Sequence, residues 1–158
     1  MTRDVAAPDT SGVRIPPPLF YVAGFLVGVA VELAFPIDRP SLAITLGVTL
    51  IGAATWLALD GAAMLHFRRA EISMVPFNPT TTLVTSGPYR FTRNPMYLGM
   101  ALLYVAVALA SGVIWALAVL PVVIALVDRL VIAREEPYLE RKFGQSYRDY
   151  RVRVRRWL

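Results

Sequence analysis

Residues 96–127 read MYLGMALLYVAVALASGVIWALAVLPVVIALV and contain no charged side chain. As one α-helix this run would extend about 48 Å, against a bilayer hydrocarbon core of about 30 Å. Ser111 and Gly112 near its middle supply a break. The stretch therefore predicts a hairpin of two membrane helices, over about 96–110 and about 113–133. The first arm is short for a span, and Pro121 is expected to kink the second or mark its start.

Two further apolar runs lie upstream. Leu19 to Phe35 carries one charge, Glu32, and its Gly24 and Gly28 have the small-xxx-small spacing that lets helices approach closely. Pro16, Pro17 and Pro18 bar an earlier start. No small-residue cleavage site follows, so the run reads as a span and not a secretory signal. After the turn at Pro36–Pro40, a second span begins near Leu42 and runs uncharged to Leu59, then through Asp60 and Gly61 to Phe67. The reading is an all-α polytopic membrane protein with about four transmembrane helices and a C-terminal amphipathic helical segment. Residues 1–18 are expected to be a disordered N-terminus, 19–67 two variable helices, and 68–158 the functional core.

Composition agrees. Of 158 residues 56% are hydrophobic and 17% charged, with a mean hydropathy of +0.55. A water-soluble domain carries roughly a quarter charged residues. Cysteine is absent, which excludes disulfides, thiolate catalysis and Cys-based metal sites, and no metal is expected. The net charge of +5 is made almost wholly by arginine, a usage common in bacterial chains of high-GC genomes. With an even number of spans, every arginine outside the apolar runs except Arg39 falls on one face. The positive-inside rule makes that face cytoplasmic, with both termini on it, in a bacterial inner membrane. The basic excess is then topology plus attraction for anionic headgroups, and no nucleic-acid partner is needed.

Two segments on that face carry the chemistry. The loop 68–95 is rich in turn formers (Pro76, Asn78, Pro79, Gly87, Pro88, Pro95), and long ordered loops are usually functional. In the C-terminal segment, Leu139, Phe143, Tyr147 and Tyr150 form an amphipathic stripe interrupted by Gly144, expected to lie on the membrane surface and fold back over the loop.

Gly87-Pro88-Tyr89 followed by Arg93-Asn94-Pro95-Met96-Tyr97-Leu98-Gly99 resembles the G-x-Y…R-H-P-x-Y-x-G signature of isoprenylcysteine carboxyl methyltransferases and phospholipid methyltransferases. Glu135-Glu136, Leu139, Phe143-Gly144, Tyr147, Tyr150 and Val154 resemble the same family's second signature. One hydrophobic hairpin separates the two, as in the family, and the likeness covers about residues 76–158. It implies a membrane methyltransferase using S-adenosyl-L-methionine, acting on a lipid-like or small hydrophobic acceptor. It implies a cofactor site at Tyr89, Asn94, Pro95, Tyr97, Gly99, Glu135, Glu136 and Tyr147, with Arg93, Glu135 and Glu136 as catalytic candidates.

The residue chemistry is compatible. Tyr89 and Tyr97 offer ring faces to an adenine or a sulfonium. Glu135 or Glu136 can accept hydrogen bonds from ribose or an ammonium, and the backbone at Gly87 and Gly99 is approachable. A base is needed only for a protonated acceptor; Glu135, Glu136 and Asp128 are the candidates. Asn94 stands where the family has histidine, so it can hydrogen-bond but not relay a proton. There is no G-x-G-x-x-G and no strand–helix alternation, which excludes a Rossmann-type methyltransferase.

Other residues have plainer readings. Glu32 snorkels or pairs with Arg39; Asp60 meets Arg129 or a substrate. Helical spacing puts Arg129 with Glu136 on one stripe and Asp128 with Glu135 on another, as an ion-pair ladder or a pocket floor. His66 reads as a headgroup contact, the RVRVRR tail as a lipid anchor, and Trp157 as interfacial. Two other functions compete: a sterol-reductase-like membrane oxidoreductase using NADPH, and a non-catalytic helical bundle. The sequence leaves the acceptor and the oligomeric state open.

Overall fold

The computed structural model describes residues 10–69 and 82–158. Residues 1–9, the side chain of His66, and Pro76, Asn78 and Pro79, for which the sequence raises expectations, lie outside the described residues. The described residues form six α-helices in order: α1 (Pro17–Ala34), α2 (Leu42–Arg69), α3 (Pro95–Ser111), α4 (Ile114–Val127), α5 (Ala133–Phe143) and α6 (Gln145–Arg153). A 3-10 turn at Gly87–Arg90 precedes α3, and a π-helical segment, Asp128–Ile132, joins α4 to α5. No strand occurs among the described residues.

Among the described residues, three stretches are long and apolar enough to cross a membrane: Pro17–Ala34, Leu42–Leu65 and Ile114–Phe143. The 17-residue α3 is apolar but shorter, as the first hairpin arm was read to be. Helix α1 starts two residues earlier than expected, because proline is tolerated in a first turn where amides have no intrahelical partner. The strap before it is not disordered as expected: Val13 is buried among Val131, Ile132 and other core residues. Pro121 lies inside an unbroken α4.

The helices pack as two seams, α1 on α4 and α2 on α3, bridged by α3 on α4. Small residues set both. A methyl group at Gly28 would strike the Ala116 backbone, and one at Gly24 would strike Val123, so the predicted close approach is made to α4. Gly52 admits Ala106 on α3, and Thr49 Oγ1 donates to the Ala106 carbonyl at 3.3 Å. The outer face of α2 exposes Leu42, Ile44, Leu46, Leu50, Ile51 and Leu57. Such a face suits lipid, where only the backbone must be satisfied internally.

The α3–α4 hairpin turns on Gly112 at φ +74°, with Val113 N–H closing onto the Ala108 carbonyl at 2.9 Å. At this end Glu32 takes backbone amides, with the Arg39 charge also acting on it: it accepts from Ile37 at 2.9 Å and from Trp115, in the first turn of α4, at 3.1 Å. It acts as a cap borrowed from another helix. All the sequence signatures lie at the opposite end of the bundle.

Candidate functional site

The start of α3 is tied to the last residues of the chain. Buried Thr92 donates from Oγ1 to the Arg156 carbonyl at 3.1 Å, and Asn94 Nδ2 donates to the same oxygen at 2.9 Å. The Arg93 amide bonds the Arg155 carbonyl at 3.0 Å. The tail therefore lies across the first turn of α3 as a short extended strap.

This strap delivers Arg156 to the acidic face of the long helix. Glu136 is held between two guanidinium groups: Arg93 Nη1 lies 3.0 Å from Oε1, and Arg156 bonds both oxygens through Nε and Nη2. Arg156 Nη1 also reaches Asp128 Oδ2 at 3.0 Å, and Trp157 Nε1 donates to Asp128 Oδ1 at 3.1 Å. The Arg93–Glu136 side chains are only 11% and 13% exposed, so this pair is the desolvated one. Hydrogen bonding to Glu136 pushes the Arg156 guanidinium further above its already high range.

Glu135 faces elsewhere. Tyr97 donates its hydroxyl to Glu135 Oε1 at 2.8 Å, and Tyr21 on α1 donates to the Tyr97 carbonyl at 2.8 Å. The π segment produces this division. An α-helix would align Asp128 with Glu135, seven residues on. The wider π turn adds about one residue, so Asp128 aligns with Glu136 and both meet Arg156. The stripes read from the sequence are thereby corrected, and Arg129, placed on one of them, is exposed.

The aromatic stripe folds over the loop as anticipated. Tyr147, Tyr150 and Val154 form a cluster with Leu83, Tyr89, Leu139 and Phe143. Tyr150 donates to the Tyr89 carbonyl at 2.8 Å, and Arg93 Nη1 donates to the Tyr147 hydroxyl at 3.3 Å. Burial pushes the phenols of Tyr89, Tyr147 and Tyr150 above their ordinary value, so all three stay neutral. Tyr89 also feels the charges of Glu135 and Asp60.

Arg93, Tyr97, Glu135, Glu136, Tyr147 and Tyr89 thus converge on one end of the bundle. Asn94 spends its amide on the tail. Pro95 is the buried first residue of α3, and Gly99 leaves room for Asp60, whose Oδ2 occupies the place a methyl group would take. Arg156 and Tyr21 were not singled out as site residues. Nothing local separates Arg156 from the other tail arginines, and Tyr21 sits in an ordinary span. Trp157 donates its indole N–H to Asp128. Among the described residues, two buried side-chain polar atoms have no hydrogen-bond partner, Arg93 Nε and Asp60 Oδ2. No ion pair among the described residues joins Asp60 to Arg129, the partner considered for it.

An uncharacterized protein of Haemophilus influenzae is 44% identical over 63 residues, which are 40% of this chain and all of the relative. No solved structure matches. Residues 42–146, more than half of the chain, match the phospholipid methyltransferase family. With both signatures brought together at one end of a membrane-spanning helical bundle, the chain belongs to that family of membrane methyltransferases.

Proposed function

We propose that this chain transfers a methyl group from S-adenosyl-L-methionine to a lipid-like or small hydrophobic acceptor at the cytoplasmic surface of the membrane. The observation that carries the proposal is the meeting of the two signatures: Tyr97 on Glu135 at 2.8 Å and Arg93 on Glu136 at 3.0 Å. The arginines cluster at this same end, which supports its cytoplasmic placement.

The residues present fit the cofactor. Arg93 Nε is a buried donor without an acceptor and would receive the cofactor's carboxylate. Glu135 would accept from its ammonium or ribose hydroxyls, and Tyr89 and Tyr97 would face its adenine. The cofactor supplies an already activated methyl group, so the protein's task is placement and exclusion of water.

The chain's own groups divide that work. Glu136, flanked by two guanidinium groups, orients Arg93 and anchors the tail, and is a positioning anion and not a base. Tyr97 fixes one oxygen of Glu135, and the other would take a proton from an acceptor that arrives protonated. Tyr21 steadies the backbone at Tyr97 from α1, tying the variable half of the chain to the site. Lipid-like acceptors would reach the site sideways through the bilayer.

The test is thermal melting of detergent-solubilised protein with S-adenosylhomocysteine or NADPH, followed by labelled methyl transfer to total membrane lipids. Stabilisation by the homocysteine compound alone, lost in Tyr97→Ala and Glu135→Ala, is the expected result. Stabilisation by NADPH alone, or by neither, refutes the proposal.

A further inference from the structure

Asp60 is an ionisable residue that the proposed reaction leaves unused. It lies inside a membrane-spanning helix, five residues before the end of the apolar window Leu42–Leu65. Its Oδ2 is buried, has no hydrogen-bond partner, and sits against Gly99 at the α2–α3 seam. A carboxylate oxygen buried this way costs free energy unless a donor or a cation meets it. No ion pair joins Asp60 to an arginine whose side chain is described.

Its surroundings are aromatic. Trp56, one helical turn earlier on the same face of α2, brings Cδ1 to 3.3 Å from where a Gly99 methyl would lie. The phenols of Tyr21 and Tyr89 are both within electrostatic reach of Asp60, and Tyr89 is within reach of Glu135 as well. Tyr21 is fixed beside this turn of α3 by its hydrogen bond to the carbonyl of Tyr97, two residues before Gly99, at 2.8 Å. A carboxylate beside aromatic side chains repels anions and attracts cations, most strongly cations that shed water easily. An intramembrane carboxylate of this kind is a functional candidate by default.

We infer that Asp60, with Trp56, Tyr21 and Tyr89, forms a receptor for an onium cation, either the sulfonium of the methyl donor or an ammonium on the acceptor. The assignment of donor and acceptor rests on the methyltransferase reading; the charge preference rests on Asp60 and its neighbours alone. Gly99 belongs to the receptor because any side chain there would displace the carboxylate.

Asp60→Asn removes the charge and keeps the shape. Binding of S-adenosylmethionine, S-adenosylhomocysteine, lysophosphatidylethanolamine and lysophosphatidylglycerol is measured in neutral detergent, on wild type and variant. A loss of about tenfold or more for S-adenosylmethionine, with S-adenosylhomocysteine unchanged, assigns the sulfonium. A like loss for lysophosphatidylethanolamine, with both adenosyl compounds unchanged, assigns the ammonium. Wild-type protein that binds neither adenosyl compound but holds lysophosphatidylethanolamine in an Asp60-dependent way refutes the methyltransferase reading and leaves the receptor standing. Equal weakening of all four probes, or no change in any, overturns the receptor. If Asp60→Asn fails to fold, Trp56→Leu carries the same comparison.

Discussion

Replacing Glu136 with glutamine removes the charge that holds Arg93 and Arg156 together while keeping a hydrogen-bonding end. Arg93 is 11% exposed and its Nε already has no partner, so its remaining charge would be left in a poorly hydrated place. Breaking a buried ion pair from one side costs about 3–5 kcal/mol. The neutral amide still accepts a hydrogen bond, and Arg156, 34% exposed, keeps Asp128 and reaches water. The net loss should therefore fall at about 2–4 kcal/mol. A domain of this size shifts by about 2–4 °C per kcal/mol, so melting should drop by about 5–15 °C in detergent. The tail should also come loose, because Arg156 is one of its tethers to the helix face. Thermal melting paired with carboxypeptidase trimming reads both effects. Arg156→Ala should cost less alone, and the double variant less than the sum, since the two residues share partners. A Glu136→Gln protein that melts within about 2 °C of wild type and keeps its C-terminus equally protected would refute the clamp.

Three further outcomes follow from the geometry. Tyr97→Phe deletes the 2.8 Å hydrogen bond to Glu135, worth about 1.5–3 kcal/mol, and should weaken S-adenosylhomocysteine binding about tenfold in a calorimetric titration. Unchanged affinity would remove Tyr97 from the site. Gly28→Leu should force α1 off α4, because even a methyl group strikes the Ala116 backbone, and should lower melting by 10 °C or more where Gly47→Leu, facing open space, does little. Gly144→Ala should destabilise by about 1–2 kcal/mol through backbone strain alone, since φ is +54° and nothing lies near the added methyl. A neutral result in denaturation would show that the α5–α6 corner relaxes freely.

What the sequence determined by itself is the set of properties that are local. Uncharged runs and their lengths marked the helices, Ser111-Gly112 marked the hairpin, and the spacing around Arg93–Gly99 and Glu135–Tyr150 marked the family. The one failure near the N-terminus has a simple cause: a polar strap such as residues 10–16 looks disordered until a core exists to bury Val13. The tertiary structure alone decided which acid does what. Glu135 and Glu136 are neighbours in the chain, yet one meets Tyr97 and the other two arginines, because a single residue gained in the π segment rotates the helix face. Arg156 is likewise indistinguishable from Arg153 or Arg155 until the tail is laid across α3. Partners separated by 20 to 62 positions leave no periodic trace, and only packing brings them within reach.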